Sequence, residues 1–488
     1  MQRHPVALVL ALSALVAGCA TNPVTGDSDF VLMSEEREIA LGKDYHQQLL
    51  ERYRRYDDPE LQRYVERIGQ RLATQSHRPG LDYHFTVLDD PAVNAFALPG
   101  GYVYITRGIM AYFDSEAALA GVLGHEIGHV TARHSVQQHS AATASSVLGT
   151  ILLAGAGAGR AGAELFQTVQ LAAIRGYGRE HELQADRLGA QYLARAGYDP
   201  EQMLEVIAIL ADQEAYEVAR ARAEGRAPDT YHGIFATHPE NDARVQRVVR
   251  AARRYRADEP RPAGHAEYLR MIDGMSFGPG TAQGVVDDHR FLHLELDAAL
   301  AAPDGWTIDN RPERLVLRAP EDAFQIVVTL RMLGDADTRD PRALLRERLG
   351  GAHRVNGAAV GGGRYPGWSA VTVQRTRAGE RRVRHAVVVK DDQAWYFAGV
   401  SRAGDGFGQL GRALRTTVNS LHALSADERR RARPLAIHVV EVRPGQTWAD
   451  LAAAVPGRVD DPVARLRLLN GDYPDGEPAA GRLVKTLR

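Results

Sequence analysis

The stretch LGHEIGHVTARH at positions 123–134 constrains this chain more than any other. It sets His125 and His129 four residues apart, with Glu126 between them. In an α-helix such residues lie one above the other on the same face. Both imidazoles can then offer a nitrogen to one ion, and Glu126 can reach a water beside it. Zinc lowers the pKa of a bound water to roughly 7, so that a nearby carboxylate can take its proton and the water can attack a carbonyl carbon. Solvated histidines on an ordinary helix would give the same spacing. The rest of the helix argues against that reading. Leu119, Val122, Leu123, Ile127 and Val130 make it a core helix. Buried histidine and glutamate are costly there unless paired or bound to metal. Gly124 and Gly128 are poor helix formers and point to close backbone approach beside the site.

Catalytic zinc needs a third protein ligand and an open fourth position. The extended pattern HExxHxxGxxH is excluded, because Ala132 and Ser135 stand where its glycine and third histidine would be. The better source is GYGREHELQADRLGAQYLARAGYDP, where Glu182 and Asp186 are one turn apart. Glu182 would complete the ligand set. Asp186 would accept a hydrogen bond from a ligating histidine and fix its tautomer. Spacing alone leaves a solvated acidic face equally open.

With 488 residues the chain is too long for one core, and two to four domains are expected. A net charge of −2 gives no reason to invoke nucleic acid. No apolar run is long enough to cross a bilayer. The single cysteine excludes an intrachain disulfide. That residue, Cys19, ends MQRHPVALVLALSALVAGCA, which has a basic start, an apolar stretch and small residues before the cysteine. LVAGC resembles a bacterial lipobox. Residues 1–18 would be a signal peptide and 19–33 a tether lipidated at Cys19, anchored without a spanning helix. With Ala20 after the cysteine, lipoprotein sorting rules imply the periplasmic face of the outer membrane of a Gram-negative cell.

Further along, helical spacing covers SEEREIALGKDYHQQLLERY and PELQRYVERIGQRLATQS, and DYHFTVLDD alternates like a strand. Tyr102–Thr106 is β-prone after a Pro-Gly-Gly turn. Ser115–Ser140 is expected as one helix capped by Ser115. SSVLGTILLAGAGAG, 145–159, is an apolar stretch too short to span, best read as buried core. The predicted organisation is a domain at 34–256, a linker at 257–285, an α+β domain at 286–425, and a small unit at 435–488. No fixed-period repeat appears.

The segments NAFALPGGYVYITRGIM, LGHEIGHVTARH, GREHELQAD and FATHPENDAR occur in an order and spacing that resembles the HtpX/BepA-like zinc metallopeptidases, the CAAX-prenyl-protease family of gluzincins. The resemblance covers about residues 30–250. It implies an α+β multidomain chain whose first domain is a mainly helical gluzincin-type metallopeptidase with a small β-sheet. It implies one Zn²⁺ per chain on His125, His129 and Glu182, with Glu126 as catalytic base and Asp186 behind a ligand. His238 would stabilise the oxyanion or cap the metal, and Arg244 would hold the substrate backbone. Tyr102, Val103 and Tyr104 would form the edge strand that pairs with an extended substrate. From sequence alone an internal strand is equally compatible. Gly178 and Gln184 depart from the SRxxExEAD pattern, and neither is a ligand position.

RPGQTWADLA, ARLRLLNG and GRLVKTLR look like a LysM-type unit, strand–helix–helix–strand, whose ligand would be peptidoglycan. Residues 286–425 suggest a small sheet of the PsbP or DcrB type, with no chemistry assigned. The functional expectation is an envelope zinc endopeptidase that cleaves unfolded or misassembled proteins. A non-catalytic envelope chaperone or scaffold and a peptidoglycan-binding lipoprotein are the alternatives.

Overall fold

The computed structural model describes residues 19–26, 28–31, 33–141, 178–223, 253, 259–350, 357–361, 364–376, 379–401 and 406–488. These divide into two compact units. One comprises Met1–Phe277 with Ala436–Arg488, the other Gly278–Leu435.

The first unit begins with a short antiparallel pair, β1 (Cys19–Thr21) and β2 (Ser28–Phe30). Helix α1 (Glu35–Arg52) starts at Ser34, whose side chain accepts from the Arg37 N–H. Helix α2 (Pro59–Ala73) is capped by Asp58 and has proline in its first turn, where the missing N–H costs nothing. It buries Leu61, Tyr64, Val65, Ile68 and Leu72, a single stripe at helical spacing. A small sheet follows, with β3 (His84–Leu88), β4 (Ala95–Leu98) and β5 (Tyr102–Thr106). Strand order is β3-β5-β4, β5 running parallel to β3 and antiparallel to β4.

That order overturns the expected edge strand. Tyr102, Val103 and Tyr104 lie on the central strand, and all three are buried. β5 has a partner on both sides, so it has no free ladder to offer a peptide. A β-prone run reads alike at the edge and in the centre, and only its partners tell the two apart.

Helix α3 (Glu116–Thr131) is capped by Ser115, which accepts from the Ala118 N–H. It does not run on to Ser140. The chain turns at Ala132 and Arg133, where Arg133 has φ of 59°, and becomes helical again from 134. Left-handed backbone is unfavourable for arginine, and its side chain offsets the cost. The Arg133 Nε donates to Glu38 Oε2 at 2.7 Å, and Nη2 donates to the Met33 carbonyl at 3.2 Å. The buried Glu38 also accepts from Arg78 Nη1 at 2.8 Å.

Helices α4 (Arg179–Arg195) and α5 (Gln202–Ala223) complete the cluster around α3. The apolar segment 145–159 and residues His238 and Arg244 lie outside the described residues. The stretch 257–285, expected as linker, carries helix α6 (His265–Ile272) and strand β6 (Ser276–Phe277). Tyr268, Leu269 and Ile272 are buried there, an apolar spacing that a Pro/Gly-rich reading of the segment overlooks.

The second unit contains a small three-stranded sheet, β7 (Val285–Asp287), β8 (Arg290–His293) and β9 (Ala298–Ala301). Its main sheet comprises β10 (Thr307–Arg311), β11 (Arg314–Arg318), β12 (Phe324–Met332), β13 (Gly357–Val360), β14 (Gly367–Thr376), β15 (Gly379–Lys390) and β16 (Gln393–Ser401). The strand order is β10-β11-β12-β16-β15-β14-β13, and each pairing is antiparallel. Helix α7 (Pro341–Arg348) packs against Val387, Val389 and Tyr396 through Leu344 and Leu345. Helix α8 (Phe407–Ser420) lays Leu410, Leu414 and Val418 into a core with Ile326, Ala386 and Phe397. Helix α9 (Ala426–Arg431) follows.

The C-terminal stretch reads strand–helix–helix–strand, as expected: β17 (Leu435–Glu441), α10 (Trp448–Ala452), α11 (Pro462–Leu469) and β18 (Leu483–Leu487). It does not stand apart. β17 pairs with β18 on one side and β6 on the other, joining the first unit's chain. Lys485 is fully buried, its Nζ 2.6 Å from Asp114 Oδ1 and 2.8 Å from the Phe113 carbonyl oxygen. Arg482 Nη2 lies 3.0 Å from Asp114 Oδ2. Asp114 immediately precedes the cap of α3, so the C-terminal chain is fastened to the start of that helix.

Losing one partner of a buried ion pair leaves the other desolvated and uncompensated. Lys485→Met is expected to lower unfolding stability by about 2–4 kcal/mol, discounted for the partial exposure of Asp114. Urea unfolding followed by tryptophan fluorescence measures it. An unchanged midpoint would mean the pair adds nothing to stability.

Candidate metal centre

Helices α3 and α4 cross with almost no side chain between them. A Cβ on Gly128 would lie 2.8 Å from the Ala185 carbonyl oxygen and 3.0 Å from the Ala185 Cα. A Cβ on Gly189 would lie 2.9 Å from the His125 backbone nitrogen, and Gly124 faces Gly189 in turn. The glycines that weaken α3 as a helix therefore permit backbone contact. That contact carries Glu182, in the first turn of α4, to the two histidines of α3.

His125 Nε2 and His129 Nε2 are 3.0 Å apart. Glu182 Oε2 is 3.5 Å from the first, and Oε1 is 3.6 Å from the second. One donor atom from each of the three residues falls within 4.8 Å of the others. Donors about 2.0–2.1 Å from a tetrahedral zinc ion stand roughly 3.3 Å from one another. The observed separations bracket that value, and two imidazoles with one carboxylate suit zinc. Glu182 and Glu126 are fully buried, whereas the His125 side chain keeps 12% of its surface exposed. The site is thus recessed but reachable.

Each histidine is held from behind. His125 Nδ1 is 2.9 Å from Asp186 Oδ1. The ring donates there and turns Nε2 toward the cluster. Burial disfavours charge on His125, but hydrogen bonds to Asp186 and Glu182 outweigh it and hold the imidazole well above its usual range.

His129 is held by a device the sequence reading missed. His129 Nδ1 lies 2.9 Å from His134 Nδ1, and His134 Nε2 lies 3.0 Å from Gln184 Oε1. An amide oxygen only accepts, so His134 donates through Nε2. Its Nδ1 must then accept from the His129 N–H, leaving His129 Nε2 as a lone pair for metal. Burial, then the neighbouring His181 ring, pushes His134 down to about 3, so it stays neutral as this relay requires. The His181 ring stacks on it at 4.2 Å. Residues five apart on a continuous helix point about 140° away from each other. The turn at Arg133 is what brings His134 back to His129. The signal was present in the histidine at the end of LGHEIGHVTARH, but helical spacing alone gives it no partner.

Residues 59–252 match the family described as Peptidase family M48. The Beta-barrel assembly-enhancing protease of Escherichia coli (strain K12) is 35% identical over 252 residues, 50% of this chain and 48% of that protein. The Yersinia pestis protein of the same name is 33% identical over 258 residues, 51% of this chain and 50% of its own. The chain thus spans about half the length of these curated relatives. Mitochondrial metalloendopeptidase OMA1 of Arabidopsis thaliana is 32% identical over 145 residues, 30% of this chain and 29% of that protein.

Gly128→Ala should wedge the two helices apart, because its Cβ would meet backbone rather than a flexible side chain. Zinc affinity, measured by competition with a chromogenic chelator, should fall even though alanine favours the helix by about 1 kcal/mol. His134→Ala should weaken zinc binding by roughly 10–100-fold through loss of the support behind His129. Wild-type affinity in both variants would remove these roles.

Proposed function

With residues 59–252 forming a domain of peptidase family M48, we propose that this chain is a zinc-dependent endopeptidase of the bacterial envelope. The observation that carries the reading is the convergence of His125, His129 and Glu182 beside Glu126 on α3. Zinc, when bound, supplies Lewis acidity toward water and the scissile carbonyl. The protein supplies the rest. Glu126 takes the proton of the attacking water and returns it to the leaving amine, the work of a buried general base. Asp186 and the His134–Gln184 pair keep the ligand tautomers fixed throughout. His238 acts on the oxyanion or caps the metal, and Arg244 holds the substrate backbone. An extended peptide adds to β4, the strand at one edge of the described sheet, which packs beside α3. Backbone pairing tolerates many sequences, which suits cleavage of unfolded or misassembled envelope proteins.

The relatives' printed name joins proteolysis to β-barrel assembly, and the same setting is proposed here. Lipidation at Cys19 would tether the chain to the periplasmic face of the outer membrane. No described helix is long and apolar enough to cross a membrane. The C-terminal strand–helix–helix–strand unit is proposed as LysM-like, with peptidoglycan within its reach. A non-catalytic chaperone role is the less favoured reading, because no ligand of the set is lost.

Glu126→Gln should retain zinc and lose casein cleavage by about 10²–10⁴-fold. Metal analysis beside a cleavage assay checks both halves. Equal cleavage by the two proteins would remove Glu126 from the mechanism, and a wild-type protein that binds zinc without cleaving would favour the chaperone.

A further inference from the structure

Several arginines of the second unit are paired with acids. Arg331 meets Asp337 and Glu347, Arg429 meets Asp297, and Arg431 meets Asp287. Arg382, Arg384 and Arg415 have a different setting. Arg382 and Arg384 project from the same face of β15 and place their guanidinium carbons 4.2 and 4.5 Å from the centre of the Phe407 ring. Arg384 lies against Gly411 of α8, where a Cβ would come within 3.0 Å of its guanidinium. Arg415 stands one helical turn beyond Gly411 on that face. Among the described side chains no carboxylate is paired with any of the three, and the Arg384 Nε is buried without a hydrogen-bond partner. Burial, then Arg415 and Arg382, holds the Arg384 guanidinium below its usual range.

The like charges of Arg382 and Arg384 on one ring repel each other, which offsets part of the attraction each gains from the aromatic face. The aromatic face does hold the guanidinium groups in place, so little order remains to be imposed when an anion arrives. The adjoining helix start adds to the same sign. The cap of α8 is Gly406 at φ 74°, with no side-chain hydrogen bond and no acid in the first turn. Among the described residues no side chain caps its first N–H groups, which lie at the positive end of the helix dipole.

We propose that Arg382, Arg384 and Arg415 form a binding site for a phosphate group, either free or carried on a lipid headgroup. Guanidinium forks match phosphate oxygens in pairs, which a single lysine cannot do. The site lies wholly within the second unit and shares no residue with the metal centre.

The test uses the full chain and two probes. Inorganic phosphate is titrated by calorimetry. Vesicles of phosphatidylcholine, with and without phosphatidylglycerol, are used in a sedimentation assay. Arg382→Gln/Arg415→Gln changes two exposed side chains, and near-UV circular dichroism checks that the fold is kept. The wild type should bind at least one probe, with the double variant weaker by about tenfold or more and the difference shrinking as salt rises. Comparing wild type with variant cancels whatever the N terminus contributes to vesicle binding. Binding to phosphate in solution identifies a soluble source; binding only to vesicles containing phosphatidylglycerol identifies a headgroup. Arg382→Lys/Arg415→Lys should recover part of the affinity, since charge returns without the fork. Equal binding of wild type and double variant to both probes, or no binding to either, overturns the proposal.

Discussion

The near-contact of two helix backbones, at Gly128 against Ala185 and Gly189 against His125, is what the rest of the first unit depends on. Glu182 is on a different helix from the two histidines, and more than fifty residues separate it from His129. Carboxylate and imidazole donors can share one ion only if the helix axes approach closely, since glutamate has just two carbons beyond Cα before its carboxyl group. Larger side chains at Gly124, Gly128 and Gly189 would hold the axes at the usual 8–10 Å. The low helix propensity of glycine is thus the cost of a ligand set drawn from two elements.

A second constraint works inside α3. His129 needs its Nδ1 proton engaged so that Nε2 faces the metal, and no residue on a regular helix could do this from five positions away. The left-handed turn at Arg133 solves the geometry, and Glu38 steadies it by binding both Arg133 and Arg78. Helix α1 therefore contributes to the metal centre without touching it. The C-terminal chain does something similar from the other end, since Lys485 and Arg482 hold Asp114 just before the cap of α3. A helix anchored at both ends is a rigid mount for ligands that must stay within fractions of an ångström.

What could be read in the sequence follows from how local each signal is. The pairing of His125 with His129 was legible because helical spacing decides which side chains share a face, whereas spacing left Glu182 and Asp186 open between a ligand role and a solvated acidic face. The roles of Gly124 and Gly128 were legible because glycine in a core helix calls for a reason. Tyr102–Thr106 was recognised as a strand but misplaced at the edge, because neighbours in a sheet are set by tertiary pairing. Neither Gly nor Pro marks the break at Ala132–Arg133, and the arginine that adopts it is compensated by a glutamate almost a hundred residues earlier. Lys485 looked like any charged residue in a terminal strand. Its burial depends on Asp114, and no local pattern links the two.

The two supports behind the ligating histidines differ in charge, and the difference is coherent. Asp186 backs His125 with a carboxylate, while His129 is backed by a neutral imidazole and the Gln184 amide. Glu126, Glu182 and Asp186 already place three carboxyl groups in one buried site. A divalent cation can offset two negative charges, and buried charge beyond that becomes expensive. A fourth carboxyl at position 184 would raise the electrostatic cost, and the amide oxygen already accepts the His134 proton in the same direction. The glutamine that departs from the family pattern thus keeps the hydrogen-bond direction that orients His129 while adding no charge. On this view position 184 must provide an acceptor rather than an acid.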